Sequence, residues 1–174
     1  AANAGQAVPS LDAQTLAIAF ADTSRTEPAV PLEAARGHLV APVEGPALVT
    51  YGAADGFGGT SRGISITAPA TSPVLAPADG WVVYTGPFLN YGQIVILNAG
   101  QDYMIVLAGL AETDVAADQF VMMGERIGAM GETSSGQWIA SATGADGPTL
   151  YIEMREGGIP IDPAGWWASQ EQTG

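Results

Sequence analysis

The chain has 174 residues, of which 47% are hydrophobic and 13% are charged, a composition typical of a globular domain and not of a disordered chain. The formal net charge is −13, with 18 acidic residues, five arginines and no lysine, which disfavours nucleic acid and anionic lipid as partners. Cysteine is absent, so disulfides, thiolate metal sites and cysteine nucleophiles are excluded. No apolar run approaches the roughly 20 residues of a membrane span, so direct membrane insertion is not expected.

The first 36 residues differ from the rest of the chain. Residues 9–20 (PSLDAQTLAIAF) predict a short helix with Ser10 as its N-cap, and a proline-bearing connector follows it. We therefore predict two parts, an N-terminal segment over residues 1–36 and one domain over residues 37–174. The sequence leaves open whether the first part covers any binding surface of the second.

From His38 onward the pattern is of short strands, separated by turn signals at residues 78–80, 90–92 and 98–100. Gly and Pro make up about a fifth of the chain, which suits such turns. The sequence predicts an all-β, antiparallel, sandwich- or barrel-like fold. The predicted strands are Gly80–Gly86, Gln93–Asn98 and Tyr103–Ala108, and more weakly Gly63–Thr67, Pro73–Ala76, Arg126–Met130, Trp138–Ala142 and Leu150–Arg155.

The polar, glycine-rich stretch over residues 132–148 predicts a long loop at the rim of the fold. Trp138 within it is a candidate anchor for a partner. The pair Trp166 and Trp167 near the end of the chain is predicted to close the core instead.

Three segments in order carry a resemblance to a known family: VLAPADGWVVYTGPFLNYGQIVILNAGQDYMIVLAGL, then VAADQFVMMGERIGAMG, then LYIEMREGGIPIDPAGWW. Together they resemble the LytM-type peptidase domain, the fold of lysostaphin and related zinc endopeptidases that cut peptidoglycan cross-links. The resemblance runs from about Gly37 to Trp167. It implies an antiparallel LytM fold with a groove that holds a catalytic zinc in the active members.

The motifs of the active members can be located here, and each has lost its functional residues. The motif His-x-Gly-x-Asp falls on residues 61–65, where Ser61 replaces the histidine and Ser65 the aspartate. The histidine of Tyr-x-His-Leu is replaced by Gly109. The motif His-x-His falls on residues 149–151, where Thr149 and Tyr151 replace both histidines.

These substitutions remove the chemistry of a zinc site. Catalytic zinc takes about three protein ligands from histidine, carboxylate or thiolate, and hydroxyl groups are poor ligands at neutral pH. The only histidine of the chain, His38, precedes the first motif. The resemblance therefore implies a non-catalytic domain with no zinc or other cofactor.

Within the family, the segments ARGHLVAPVEG at 35–45, AGL at 108–110 and LYIEMR at 150–155 resemble the EnvC-like branch of murein hydrolase activators. Members of that branch bind and switch on cell-wall amidases in the periplasm during cell division. They contact the FtsE–FtsX complex through a coiled coil, which this chain lacks. The resemblance thus implies an amidase as the protein partner.

The candidate partner-binding groove consists of Arg62, Tyr91, Tyr151, Glu153 and Arg155. The period of two in a strand places residues 151, 153 and 155 on one face. Tyr and Arg are enriched at the energetic centres of protein interfaces. Structural alternatives stay open: Arg62 as a solvated surface residue, Tyr91 as a cover for the core edge, and Glu153–Arg155 as an ion pair that holds its strand.

Two other functions remain open on the sequence. One is a passive peptidoglycan-binding or scaffold module that uses the former substrate cleft, although a net charge of −13 disfavours an anionic wall polymer. The other is a residual zinc endopeptidase with unusual ligands, which the loss of five functional groups disfavours.

Overall fold

The structure is a computed structural model, and it describes residues 32–45, 47–53, 59–88, 91–132 and 147–167. Three of the sequence predictions lie outside these residues: the helix over residues 9–20, the strand over 138–142 and all but the ends of the loop over 132–148. Trp138 therefore also lies outside them.

The described residues form eleven short strands and two single-turn 3₁₀ helices. The 3₁₀ helices are Leu32–Ala35 and Pro163–Gly165, and Asp162 caps the second by accepting a hydrogen bond from the Ala164 amide. No described helix is long and apolar enough to cross a membrane. The strands are β1 (Ala47–Val49), β2 (Ile64–Thr67), β3 (Pro73–Leu75), β4 (Gly80–Pro87), β5 (Gln93–Gly100), β6 (Tyr103–Leu110), β7 (Glu112–Thr113), β8 (Phe120–Val121), β9 (Arg126–Ala129), β10 (Thr149–Glu156) and β11 (Ile159–Ile161).

Within the described residues the strands make two antiparallel sheets. The large sheet has eight strands in the order β1-β2-β10-β6-β5-β4-β8, with β11 paired to β10. The small sheet has the order β3-β9-β7. The all-β, antiparallel prediction is confirmed, and the three clearest predicted strands appear as β4, β5 and β6, each slightly longer than predicted.

One face of the large sheet forms the core of the domain. In β10, Leu150, Ile152 and Met154 are buried in the main hydrophobic cluster, and they alternate with residues that point to the other face. The same period places Val95 and Leu97 of β5 in this cluster. The second face is therefore free to carry the residues of the candidate site.

One predicted turn is wrong. The signal at 98–100 predicts that the chain reverses there, but these residues belong to β5, which is irregular between Asn98 and Gly100. The reversal lies at Gln101 and Asp102, whose φ angles are 54° and 69°, and Gly100 pairs with Tyr103 across it. Two central residues at positive φ are the geometry of a tight hairpin turn, so Gly100 serves the bulge before the turn instead of the turn itself.

The beginning and the end of the described chain are held together. The Gly37 and Leu39 amides both donate to the Trp166 carbonyl, at 2.9 and 3.1 Å. Trp166 is 1% exposed and packs edge-on against Tyr103, which confirms its predicted place in the core. Leu32 of the first 3₁₀ helix is also buried in the core, so the last residues of the predicted N-terminal segment pack with the domain. The division at residue 36 stays a prediction.

Candidate functional site

The strand register brings the former motif positions together on the face of the large sheet opposite the core. Tyr151 of β10 pairs with Ser65 of β2 on one side and with Ala108 of β6 on the other. Ala108 pairs in turn with Ile94 of β5. Directly opposed residues of antiparallel strands share a face, so these four side chains form one row across the sheet. We call it the motif row: Ser65, Tyr151, Ala108 and Ile94.

The motif row is closed to solvent. Ser65, Tyr151, Ala108 and Ile94 are 3%, 8%, 2% and 3% exposed, and the last three form a small hydrophobic cluster against which Tyr91 packs. An aromatic ring thus lies where the family motif has a zinc-ligating histidine, and it is surrounded by apolar side chains. This packing suits a filled site better than a cavity for a metal ion.

Ser61 is used by its own turn. The Ser61 hydroxyl donates to the Gly63 carbonyl at 2.8 Å, and the Gly63 amide donates back to the Ser61 hydroxyl oxygen at 3.3 Å. Gly63 itself lies against β10, because a Cβ added there would be 2.2 Å from the Ile152 carbonyl oxygen. The glycine of the motif is therefore required for the contact between β2 and β10 even though the motif's ligands are gone.

Gly109 and Thr149 are equally unsuited to their former roles. Gly109 lies where the pairing of β6 with β5 shifts register, and its φ of 107° is a conformation that residues with a Cβ rarely adopt. Thr149 is fully buried, and its hydroxyl lies 3.4 Å from the Gly147 carbonyl, a long contact.

The residues present do not fit a zinc ion. The described residues contain no group of three or more His, Cys, Asp or Glu side chains that could hold a metal. His38 lies in the segment beside Trp166 and Trp167. Its amide donates to the Ala35 carbonyl at 2.8 Å, and its neighbour Leu39 forms a single β-bridge with Trp167.

Three of the predicted groove residues form a hydrogen-bonded chain along β10. The Tyr151 hydroxyl donates to Glu153 at 2.7 Å, and Arg155 donates to the other oxygen of Glu153 and, at 2.6 Å, to the Gly158 carbonyl. Burial and the Glu153 carboxylate together raise the pKa of Tyr151, so the hydroxyl stays protonated and donating. The Glu153 side chain is 15% exposed and that of Arg155 is 35% exposed, so the pair both holds β10 and presents part of the arginine to solvent.

The other two groove residues lie beside Tyr151. Arg62 is exposed, and its charge acts on Tyr151 in the direction that lowers the pKa, against the larger effect of burial. Tyr91 is half-buried and its ring stacks on that of Phe88, with centroids 6.1 Å apart. The structure thus places all five predicted groove residues along one region, with Tyr151 beneath and Arg62, Tyr91 and Arg155 nearer the surface.

Sequence reasoning missed Phe88, Ile94 and Ala108 as parts of this region. The segment GPFLNYG at 86–92 places two aromatics three residues apart beside the predicted turn, which is a usable signal for Phe88. Ile94 and Ala108 carry no such signal, because only the pairing of β5 with β6 and β10 puts them beside Tyr151.

The arrangement suits binding. An exposed arginine, a partly exposed tyrosine and an anchored Glu–Arg pair surround a firm apolar centre, and such aromatic and arginine side chains dominate the energetics of protein interfaces. Among the residues that the structure describes, it offers no cluster of three side chains of the kind that hold a catalytic metal.

The chain is similar in sequence to bacterial proteins named for cell division and for murein hydrolase activation. The chain is 30% identical over 136 residues to the cell division protein DipM of Caulobacter vibrioides, covering 74% of this chain and 21% of that protein. It is 32% identical over 123 residues to the murein hydrolase activator NlpD of Escherichia coli, covering 70% of this chain and 29% of that protein. The chain therefore spans about a fifth to a third of the length of these relatives.

Solved structures agree on the fold. A putative peptidase M23 from Pseudomonas aeruginosa is 26% identical with a TM-score of 0.62, covering 90% of this chain and 61% of that one. Lysostaphin is 21% identical with a TM-score of 0.57, covering 74% of this chain and 53% of that one. Residues 59–163 match Peptidase family M23, which is more than half of the chain. The predicted LytM-type fold is thus confirmed, and the chain belongs to peptidase family M23.

Proposed function

We propose that this domain is a non-catalytic activator that binds a peptidoglycan (N-acetylmuramoyl-L-alanine) amidase and switches it on. The observation that carries the proposal is the motif row. Tyr151 and Ser65 pair directly where the family motifs have zinc ligands, and the row is packed with apolar side chains. Arg62 is exposed and Tyr91 and Arg155 are partly exposed beside this buried row, which leaves them accessible to a partner.

The names of the relatives support an activating role. NlpD of Escherichia coli is a murein hydrolase activator, and DipM of Caulobacter vibrioides is a cell division protein. On the proposal, this chain acts in the same way in the periplasm, during division or wall remodelling. Membership of the EnvC-like branch, and a contact with FtsE–FtsX through a coiled coil outside this chain, are finer parts of the same proposal.

Activation requires a difference in affinity. A domain that binds the active and the inhibited forms of an amidase equally well shifts no equilibrium, so it must bind the active form more tightly. Capture of an inhibitory segment of the amidase by Arg62, Tyr91 and Arg155 would supply that difference, since apolar and Tyr/Arg contacts suit a helix held in a groove.

The test is the release of dye-labelled peptidoglycan by each purified amidase of the source organism, alone and with this chain. We expect stimulation to fall at least about tenfold in the double variant Arg62→Ala/Tyr91→Ala. Tyr91 also packs against the motif row, so the thermal melting of the variant is measured and the assay is run at a temperature at which it stays folded. The matched control is Arg126→Ala, because Arg126 lies in β9, where it pairs with Glu112 and Asp114.

Three outcomes would contradict the proposal. An absence of both stimulation and complex formation with every amidase would refute the proposal. Binding of the chain to purified sacculi without any effect on an amidase would instead support the passive peptidoglycan-binding module. Zinc bound in a 1:1 ratio, with cleavage of cross-bridge peptides, would establish an endopeptidase.

A further inference from the structure

The sheet face that holds the motif row continues along the strands as two further rows. In the second row Tyr84, Ile96 and Val106 lie side by side across β4, β5 and β6 and end at Glu153. The third row is formed by Phe120, Trp81, Asn98, Met104 and Arg155, across β8, β4, β5, β6 and β10. We define the outer sheet face by its six apolar residues: Tyr84, Ile96, Val106, Phe120, Trp81 and Met104.

The outer sheet face differs from the motif row in accessibility. All four residues of the motif row are buried, whereas Ile96, Val106, Met104 and Trp81 are partly exposed and Tyr84 is exposed. Trp81 and Phe120 meet edge-to-face, with centroids 5.2 Å apart, which holds them as one apolar surface. The apolar surface that a partner can reach therefore lies beyond the former catalytic positions.

The distance between the two regions is large enough to separate them experimentally. Ala108 in the motif row and Met104 in the third row are four residues apart on β6. At about 3.3 Å per residue, this separation is about 13 Å. A ligand at the motif row alone would not reach Met104.

The end of the outer sheet face is bordered by acidic residues. Asp102 lies in the turn between β5 and β6, at the end of the strands beyond Met104. Asp118 donates its amide to the Val82 carbonyl, next to Trp81. Both aspartates are exposed, while Arg155, in the same row as Met104, is paired with Glu153.

These features select one class of occupant. An apolar surface beside exposed carboxylates complements a segment that has apolar side chains along one side and lysine or arginine beside them. A second copy of this chain is disfavoured because each copy carries a formal net charge of −13. The same charge disfavours an anionic polymer.

We propose that the outer sheet face is a second part of the partner interface, and that it binds a basic, apolar-sided segment of the partner protein. The inference rests on the proposed function, because it takes the partner to be an amidase. It adds where on the sheet the partner lies and what charge its segment carries.

The absence of cysteine allows a direct test, since one introduced cysteine is a unique attachment point. Met104→Cys probes the outer sheet face and Arg62→Cys probes the groove. Glu132→Cys, after β9, is the matched control. Each variant carries a benzophenone maleimide and is irradiated with the purified amidases of the same organism, after its thermal melting has been matched to that of the unmodified chain.

We expect cross-links to an amidase from positions 104 and 62 and none from position 132. The amidase peptide linked to position 104 should contain apolar residues and lysine or arginine. Cross-linking from position 62 with only control levels from position 104 would refute the outer sheet face and leave the proposed function intact. No cross-link from either position would refute both, and a cross-link from position 104 alone would refute only the groove.

The charge of the segment is tested separately. Asp102→Asn/Asp118→Asn should weaken amidase binding about 3–10-fold at 50 mM salt, and the loss should shrink toward 300 mM, because screening weakens charge pairs. Asparagine is a suitable replacement at both positions because it tolerates the positive φ found at each. The control Glu44→Gln/Glu132→Gln makes the same change in net charge elsewhere; an equal loss in both variants would refute a local basic contact.

Discussion

The hydrogen bond from Tyr151 to Glu153 allows the sharpest prediction on stability. Tyr151 is 8% exposed, the Glu153 side chain is 15% exposed, and the two oxygens are 2.7 Å apart. Tyr151→Phe keeps the ring in its apolar cluster and removes only the donor. A hydrogen bond to a charged group contributes about 1.5–3 kcal/mol, and since Glu153 keeps Arg155, we expect the lower end, about 1.5 kcal/mol.

The assay is urea unfolding at pH 7, followed by tryptophan fluorescence, with thermal melting in parallel. A loss of about 1.5 kcal/mol corresponds to a fall in Tm of about 3–6 °C, at about 2–4 °C per kcal/mol in a domain of this size. The matched control is Tyr51→Phe, because Tyr51 is 37% exposed and its hydroxyl lies 3.4 Å from the Pro160 carbonyl. We expect a change below about 0.5 kcal/mol for that variant.

A double-mutant cycle assigns the loss to the pair. The free energies of Tyr151→Phe and Glu153→Gln should be non-additive by at least about 0.5 kcal/mol, as is usual for groups in contact. Two results would refute the reasoning that the hydrogen bond holds β10. One is a Tyr151→Phe variant as stable as Tyr51→Phe, and the other is additivity of the unfolding free-energy changes of Tyr151→Phe and Glu153→Gln.

Three further predictions concern the stability of the fold. Gly63→Ala should destabilise the fold by about 3 kcal/mol or prevent folding, because the added Cβ would lie 2.2 Å from the Ile152 carbonyl oxygen. The control Gly165→Ala, which has open space around it, should change the stability by less than about 1 kcal/mol. Equal melting temperatures of the two variants would contradict this reasoning. Burial, with Glu33, raises the pKa of Tyr103, so the folded state holds this proton more tightly than the unfolded state does. Tyr103 should therefore contribute its full stabilisation below pH 10 and lose up to about 1.4 kcal/mol of it per pH unit above, in addition to a similar loss from Tyr151, whose pKa is also raised. The fall should be shallower in Tyr103→Phe, and an unchanged slope would contradict the assignment. Arg126→Gln should cost no more than about 1 kcal/mol, because its ion pairs are exposed, and a larger loss in urea unfolding would show that they are not ordinary surface pairs.

The residue types at the motif positions were readable from the sequence. Ser61, Ser65 and Tyr151 offer only hydroxyl groups, which are poor zinc ligands at neutral pH, so the prediction of a lost metal site needed no coordinates. The strands β4, β5 and β6 were equally readable, because alternating burial over eight residues is a local property of the backbone. The family resemblance followed from the order of such local segments.

What fills the vacated site was decided only by the tertiary structure. Strand pairing is non-local, so no short sequence window contains Tyr151 together with the neighbours that bury it: Tyr91 and Ile94 come from around the start of β5 and Ala108 from β6. The same holds for the hairpin at Gln101, which carries positive φ because the register of β5 and β6 requires it there. Local chemistry thus determined what the site had lost, and long-range pairing determined that a packed apolar row lies where the ligands were.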